Sequence, residues 1–194
     1  MFSRGVSACA WVLGAILAAG CAEPPNKEMD QAQGAIDAAQ AAGADQYATT
    51  EYGAATTALK SANDAVAAGD YRLALNYALE SREHAQNAAR DSANTKARMR
   101  SDIERGLVEI DALIAKGEAQ IASAQRARVA ARQLRQPAAE LADAKADLQD
   151  PREAVGRGDY LGAAEALGGI KERVEKVLME ISSATTTQPS RRRG

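Results

Sequence analysis

The chain has 194 residues, of which 46 are alanine, whereas phenylalanine and tryptophan occur once each. From position 21 onward, leucine, isoleucine and valine number 25 in 174 residues, and the whole chain has a net charge of −2. Alanine is the best helix former, and so few large apolar residues exclude a β-rich fold and a large globular enzyme. The composition therefore favours an all-α chain of one or two small units.

The N-terminal 21 residues combine a basic start at Arg4 with an uncharged, largely apolar run over residues 5–19. This run is shorter than the roughly 20 residues that a helix needs to span a bilayer. It ends in Leu17-Ala18-Ala19-Gly20-Cys21, which resembles the bacterial lipobox. The sequence departs from the commoner lipobox at Ala18, where leucine is usual. Residues 1–20 are therefore predicted to be a lipoprotein signal peptide.

The lipobox resemblance implies attachment of diacylglycerol to the thiol of Cys21, cleavage between Gly20 and Cys21, and acylation of the new amino group, for example with palmitate. Two or three acyl chains would anchor the protein stably. Cys9 would leave with the signal, so no disulfide could form within the mature chain. Ala22 follows the cysteine, and by resemblance to enteric sorting this favours the outer membrane, facing the periplasm. An ordinary cleaved signal and an uncleaved anchor remain the alternatives.

After a linker over residues 21–27, helix signals follow one another without any strand signal. Asn26 is an N-cap for a helix over residues 27–42, and Thr49 is an N-cap for a second helix over residues 50–68. The next three residues indicate a tight turn between helices, with a left-handed glycine, a capping aspartate and the first residue of a new helix. These residues are Gly69, Asp70 and Tyr71.

The same turn recurs 89 positions later as Gly158, Asp159 and Tyr160. At this offset five further residues between positions 52 and 79 are identical, and most of the eight identities are not alanine. The pattern predicts an internal duplication of a helix-turn-helix unit. Convergence on a common hairpin turn is the alternative.

The two copies differ in the size of their apolar residues. Spacings of three and four place five large residues of the second copy on one narrow seam, as in a coiled coil. The equivalent positions of the first copy hold only alanine and serine, so this copy is either less stable or awaits a partner. The large residues of the second copy are Leu167, Ile170, Val174, Val177 and Ile181. Their equivalents in the first copy are Ala78, Ser81, Ala85, Ala88 and Ser92.

The sequence predicts a bundle of alanine-rich hairpins, elongated by a long central helix within residues 71–134. A third seam over residues 103–121 is expected to pack antiparallel on residues 167–181. A helix starting near Pro137 should kink or restart at Pro151, with Asp150 as its cap. The resulting units are residues 28–98 and 99–183. A disordered basic tail over residues 184–194 is predicted to follow, with Arg191, Arg192 and Arg193 near its end.

A family resemblance lies in the run Tyr47-Ala48-Thr49-Thr50-Glu51-Tyr52, continued by Ala55, Leu59, Ala62 and the residues around the first turn. This run resembles a family of bacterial envelope lipoproteins known as domain of unknown function 4398. The family usually has proline where this chain has Thr49. The resemblance covers about residues 30–95 and implies an alanine-rich helical bundle, in some members attached to peptidoglycan-binding modules of the OmpA type. It implies no known activity.

Gly69 to Ala78 is also similar to the middle of a tetratricopeptide repeat. That architecture repeats every 34 residues, whereas the two turns here are 89 residues apart. A peptide- or protein-binding adaptor of this kind is therefore the alternative function.

No pattern of residues predicts catalysis. His84 is the only histidine and lies beside Arg82 and Glu83 on a helix face, and no motif for a metal, phosphate or nucleophile is present. We expect no enzyme activity, cofactor, metal or nucleic-acid partner. We expect a lipid-anchored scaffold or interaction module that contacts an envelope protein or a peptidoglycan-associated partner. A candidate contact surface consists of Tyr47, Tyr52, Tyr71 and Tyr77.

Overall fold

The computed structural model describes residues 23–186. These residues form helices and connecting turns without any strand, which confirms the all-α prediction. The helices are α1 (Asn26–Ala41), α2 (Ala44–Tyr47), α3 (Thr49–Ala67), α4 (Tyr71–Arg126), α5 (Ala131–Asp147), α6 (Gln149–Gly156) and α7 (Tyr160–Thr186).

The predicted long helix is present as α4, with 56 residues, but it does not reach residue 134. It ends because Arg128 adopts a left-handed backbone with φ 62°. The amide of Arg128 donates to the carbonyl of Gln125 at 3.0 Å, and that of Val129 donates to Ala124, also at 3.0 Å. These two bonds form the Schellman pattern, which satisfies the last carbonyl groups of a helix. The sequence did not predict this helix end because an arginine occupies the position where glycine is usual.

Three predicted boundaries in the second half differ from the observed ones. Helix α5 begins at Ala131, so Pro137 lies inside the helix and is buried. Helix α6 restarts at Gln149, which places Asp150 and Pro151 in its first turn, without a side-chain cap from the preceding residue. Helix α7 continues to Thr186, so the first three residues of the predicted tail are helical. The remaining tail, including Arg191 to Arg193, lies outside the described residues.

The described chain forms two compact units. Unit 1 comprises residues 23–41 and 49–88, and unit 2 comprises residues 42–48 and 89–186. The predicted boundary lay at residues 98 and 99 and did not assign the short segment 42–48 to the second unit.

Unit 1 consists of α1, α3 and the first part of α4. The hydroxyl of Ser81 in α4 donates to the carbonyl of Ala55 in α3 at 2.8 Å, and His84 of α4 contacts Glu51 of α3. Residue numbers rise along α4 as they fall along α3, so these helices are antiparallel. The core of unit 1 is built almost entirely from alanine, with Ile36 as its largest buried side chain.

Unit 2 contains the rest of α4 together with α5, α6 and α7, around a core of isoleucine, leucine and valine. The prediction that α4 and α7 pack antiparallel was wrong. Lys171 of α7 donates to Glu109 of α4 at 2.8 Å, and Gly117 of α4 lies against Leu178 of α7. Residue numbers therefore rise together, and the helices are parallel. In an up-down-up bundle the first and third helices must run the same way, and α5 with α6 provides the intervening antiparallel segment.

The repeat extends beyond the predicted hairpin. Four buried residues in α1 and in the segment that follows α1 have equivalents 85 positions later. The equivalent residues are also buried, and they lie in the last part of α4 and in the loop that follows it. The offset is smaller than 89 because 12 positions separate Gly43 from Ala55 in the first copy, whereas 16 positions separate Arg128 from Ala144 in the second. Each copy is therefore three helices, and α4 supplies the third helix of one copy and the first of the next. The matching positions are Ala32, Ile36, Ala39 and Ala44 in the first copy, and Gly117, Ile121, Ala124 and Val129 in the second.

Candidate functional site

The first Gly-Asp-Tyr turn joins α3 to α4 in unit 1. Gly69 has φ 76°, a conformation that costs other residues about 1–2 kcal/mol. Its amide donates to the carbonyl of Val66 at 2.9 Å, and the amide of Asp70 donates to Ala65 at 3.0 Å. The carboxylate of Asp70 then accepts the amide of Leu73 at 2.9 Å. The glycine ends one helix and the aspartate caps the next.

The second turn repeats this geometry in unit 2. Gly158 has φ 79°, and its amide donates to Val155 at 3.0 Å. The amide of Asp159 donates to Ala154 at 2.9 Å, and its carboxylate accepts the amide of Gly162 at 2.9 Å. Every bond has its equivalent 89 residues earlier.

Tyr47 binds to the second turn. Its hydroxyl accepts the amide of Tyr160 at 3.2 Å and lies 3.4 Å from the carbonyl of Gly158, to which it donates. The two tyrosine rings meet edge to face, with centroids 6.4 Å apart and an interplanar angle of 71°. This arrangement favours aromatic pairs because the positive edge of one ring faces the negative face of the other.

The loop that carries Tyr47 is held by α4. Lys96 and Ser92 both donate to the carbonyl of Ala42, at 2.6 and 2.7 Å respectively. The ammonium of Lys96 also lies 4.8 Å from the centroid of the Tyr47 ring, within the range of a cation–π interaction. Gly43 has φ 78°, and a side chain there would collide with Lys96. These contacts explain why residues 42–48 belong to unit 2.

The other tyrosines of the candidate contact surface lie in unit 1. Tyr52 packs against the small core around Ile36, and Tyr71 and Tyr77 are half-buried on α4. Tyr47 instead has its hydroxyl and its ring engaged within unit 2. The tyrosine contact surface stays a prediction.

His84 bridges two helices of unit 1. Its Nδ1 lies 2.8 Å from the carboxylate of Glu51, and its Nε2 lies 3.8 Å from that of Glu80. The hydrogen bond to Glu51 is the largest effect and raises the pKa of His84 above its ordinary value of 6.5, against a smaller opposing effect of burial. The contact gives His84 a structural role that its position on a charged helix face did not reveal.

Open grooves lie on both units. In unit 1 a groove of about 400 Å³ lies between α1 and α3 and is mostly polar, with Asp37, Tyr52 and Lys60 in its lining. In unit 2 an apolar groove of about 340 Å³ lies between α4 and α7, over Gly106 and Gly168. Both are shallow surface features.

Within residues 23–186, no group of three histidine, cysteine, aspartate or glutamate side chains is placed to hold a metal ion. None of the helices in that range is both long and apolar enough to cross a membrane. Gly20 and Cys21, the predicted cleavage and lipidation residues, lie outside the described residues.

Together these features define a helical protein of two repeated three-helix units. Residues 27–102 match the model of a protein family described as "Domain of unknown function (DUF4398)", which confirms the predicted resemblance over this part of the chain. The match covers α1 to α3 and the first part of α4. Neither the curated proteins nor the solved structures contain a significant match to the chain.

Proposed function

We propose that this chain is a non-catalytic lipoprotein of the bacterial envelope, anchored through Cys21, whose helical units act as a scaffold or interaction module in the periplasm. The observation that carries the proposal is the lipobox-like sequence that ends at Cys21. It is followed by only four residues before the first helix begins at Asn26.

The start of unit 1 supports the proposal. Pro25 is buried, the amide of Met29 donates to its carbonyl at 3.0 Å, and the amide of Asn26 donates to Pro24 at 2.8 Å. Folded structure thus begins by Pro24, four residues after the predicted cleavage point at Gly20. A signal segment followed directly by a folded unit is the arrangement that a short-tethered lipoprotein needs.

The described surface favours contact over chemistry. Its ion pairs are mostly exposed and lie either within one helix or between neighbouring helices, as for Lys145 with Glu118 at 3.1 Å, and its grooves are shallow. We propose an envelope protein or a peptidoglycan-associated component as the partner, because the family resemblance implies that setting. The tetratricopeptide alternative is less favoured, since the repeat observed here has three helices and about 89 residues per copy.

The lipid anchor is tested with Cys21→Ser in the full chain, and Cys9→Ser is the matched control. Because Cys21 would carry the acyl chains, we expect Cys21→Ser to move the protein from the membrane to the soluble fraction and to abolish labelling by a palmitate analogue. Cys9→Ser should leave both readouts unchanged. Membrane association and labelling that survive Cys21→Ser would contradict the anchor.

The partner is tested by cross-linking in intact envelopes followed by mass spectrometry. Recovery of wall-bound proteins or peptidoglycan fragments supports the scaffold. Reproducible recovery of one peptide tail, bound within a single groove, would instead support the adaptor and contradict the scaffold.

A further inference from the structure

The end of unit 1 that carries the first Gly-Asp-Tyr turn is also the end at which the chain enters the fold. Helices α1 and α4 run in the same direction, because Gln31 bonds to Arg82 at 2.7 Å and Ile36 shares a buried cluster with Ala85. A residue of α1 therefore lies level with one about 50 positions later in α4. We call Gly69 to Leu73 the hairpin tip.

The hairpin tip projects past the first residue of α1. Asn26 lies level with about residue 76 of α4, so Tyr71 extends about 6–8 Å further along the helix axis, at 1.5 Å per residue. Residues 23–25 lead into α1 at the same end of the unit. The four residues between Cys21 and Asn26 span at most about 18 Å between the two Cα atoms when fully extended. An anchor at Cys21 would thus hold the hairpin tip within about 10 Å of the anchored residue along the axis.

The chemistry of the hairpin tip suits a lipid headgroup layer. Leu73 is 37% exposed, Arg72 is exposed and Tyr71 is half-buried. Tyrosine and arginine are favoured at the membrane–water interface. Burial of an exposed leucine side chain among the lipids is favourable because it removes apolar surface from water. Arg72 and Lys27 at this end are offset by Glu23, Glu28 and Asp70. This end of unit 1 therefore has no excess of positive charge. Its binding to a membrane should not depend on anionic lipid.

We propose that the hairpin tip of unit 1 rests against the bilayer surface, with Leu73 among the lipid headgroups and Tyr71 beside it. The proposal rests on the anchor at Cys21 proposed above. A single lipid tether would leave a folded unit free to tumble at the surface. A second contact at the hairpin tip orients α1, α3 and the first part of α4 with respect to the membrane.

Tryptophan fluorescence tests this contact directly, because Trp11 would leave with the signal and the processed chain would contain no other tryptophan. Leu73→Trp places a reporter in the hairpin tip, and Tyr71→Trp is a second reporter should the first disturb folding. Ala38→Trp is the matched control, since Ala38 is exposed on α1 and lies about 25 Å from the tip along the axis. Each variant of the full chain is purified from membranes, checked for acylation and for helical circular dichroism, and reconstituted into zwitterionic vesicles containing lipids brominated near the headgroup.

We expect the tryptophan emission of Leu73→Trp to shift to shorter wavelength and to fall by about twofold with brominated lipid, as for an interfacial side chain. The emission of the control variant Ala38→Trp should stay unchanged. Acylated protein in which Leu73→Trp is quenched no more than Ala38→Trp would overturn the membrane contact while leaving the anchor intact. Purified protein without acyl chains on Cys21 would overturn the proposed anchor and, with it, this contact.

Discussion

The two copies of the repeat bury the same positions with side chains of very different size. Five positions on α4 and their equivalents on α7 are all buried, with exposures of 8% or less. On α4 the buried groups are methyl and hydroxymethyl groups, and on α7 they are branched aliphatic chains. The positions are Ala78, Ser81, Ala85, Ala88 and Ser92, and Leu167, Ile170, Val174, Val177 and Ile181.

This comparison separates the geometry of a helix bundle from its stabilisation. Small side chains let helices approach closely, so the alanine seam is closed within the fold and does not need a partner to cover it. Each buried methylene contributes about 0.8 kcal/mol, so the alanine seam contributes far less to stability than its counterpart. Unit 1 should therefore be the less stable of the two units.

The largest expected effect on stability comes from truncating a buried side chain in the core of unit 2. Ile110 is fully buried in α4, and Ile110→Ala should lower the free energy of unfolding of unit 2 by about 2–5 kcal/mol because it removes apolar contacts and leaves a cavity. Urea unfolding followed by circular dichroism measures the change. Val108→Ala is the control on the same helix, since Val108 is 71% exposed and should change stability by less than about 0.5 kcal/mol. Equal effects at the two positions would mean that this core does not stabilise the unit.

The reverse change should also destabilise, but by less. Ser81 is completely buried and donates to Ala55, so Ser81→Ile introduces the side chain of its equivalent, Ile170, into a seam without room for it. We expect a loss of about 1–3 kcal/mol from overpacking in urea unfolding. Ser81→Ala, which removes only the hydrogen bond, should cost about 1 kcal/mol. A stabilising Ser81→Ile would show that the seam has empty space and would refute close packing in unit 1.

Three of the four left-handed residues in the described chain, Gly69, Arg128 and Gly158, offer a smaller and more uniform test. A Cβ atom at Gly69 or at Gly158 would meet open space, so alanine there should cost about 1 kcal/mol, from backbone strain alone. Arg128 already has a left-handed backbone, so the strain is present in the native chain. The free energy of unfolding of Arg128→Gly should exceed that of Arg128→Ala by about 1 kcal/mol. The comparison of Arg128→Gly with Arg128→Ala cancels the contribution of the arginine side chain. A cost at only one of the two glycine turns would show that the turns are not equivalent.

The smallest effect concerns the pH dependence of unit 1. Contact with Glu51 raises the pKa of His84, so protonated His84 stabilises the folded state. This contribution is fully present below the unfolded pKa of about 6.5 and is lost as the pH rises through the higher folded value. Because both side chains are 31% exposed, we expect only a few tenths of a kcal/mol. The pH profile of urea unfolding should lose this step in His84→Gln and in Glu51→Gln, and a step that persists in both would assign it to another group.

The sequence predicted the features that depend on local signals. The glycine and aspartate of each turn specify a helix end and a helix start, and spacings of three and four identified the buried seams on α4 and α7. The helix end at Arg128 was missed because no glycine marks it. The contact between Tyr47 and Gly158 was missed because the two residues are 111 positions apart and no local pattern links them. The parallel packing of α4 and α7 depends on the third helix between them, which pairwise comparison of seams does not reveal.

Native-state hydrogen exchange tests the unequal stabilisation of the two copies most directly, because it reports local opening helix by helix. Helix α3, which packs against the alanine seam of α4, and helix α7, which carries the aliphatic seam, are the informative pair. We predict that amides in the middle of α3, around Ala58 and Ala62, exchange at least about tenfold faster than those around Val174 and Val177, equivalent to about 1.4 kcal/mol in opening free energy. Equal protection of the two helices, or slower exchange in α3, would contradict the claim that the alanine seam marks the less stable unit.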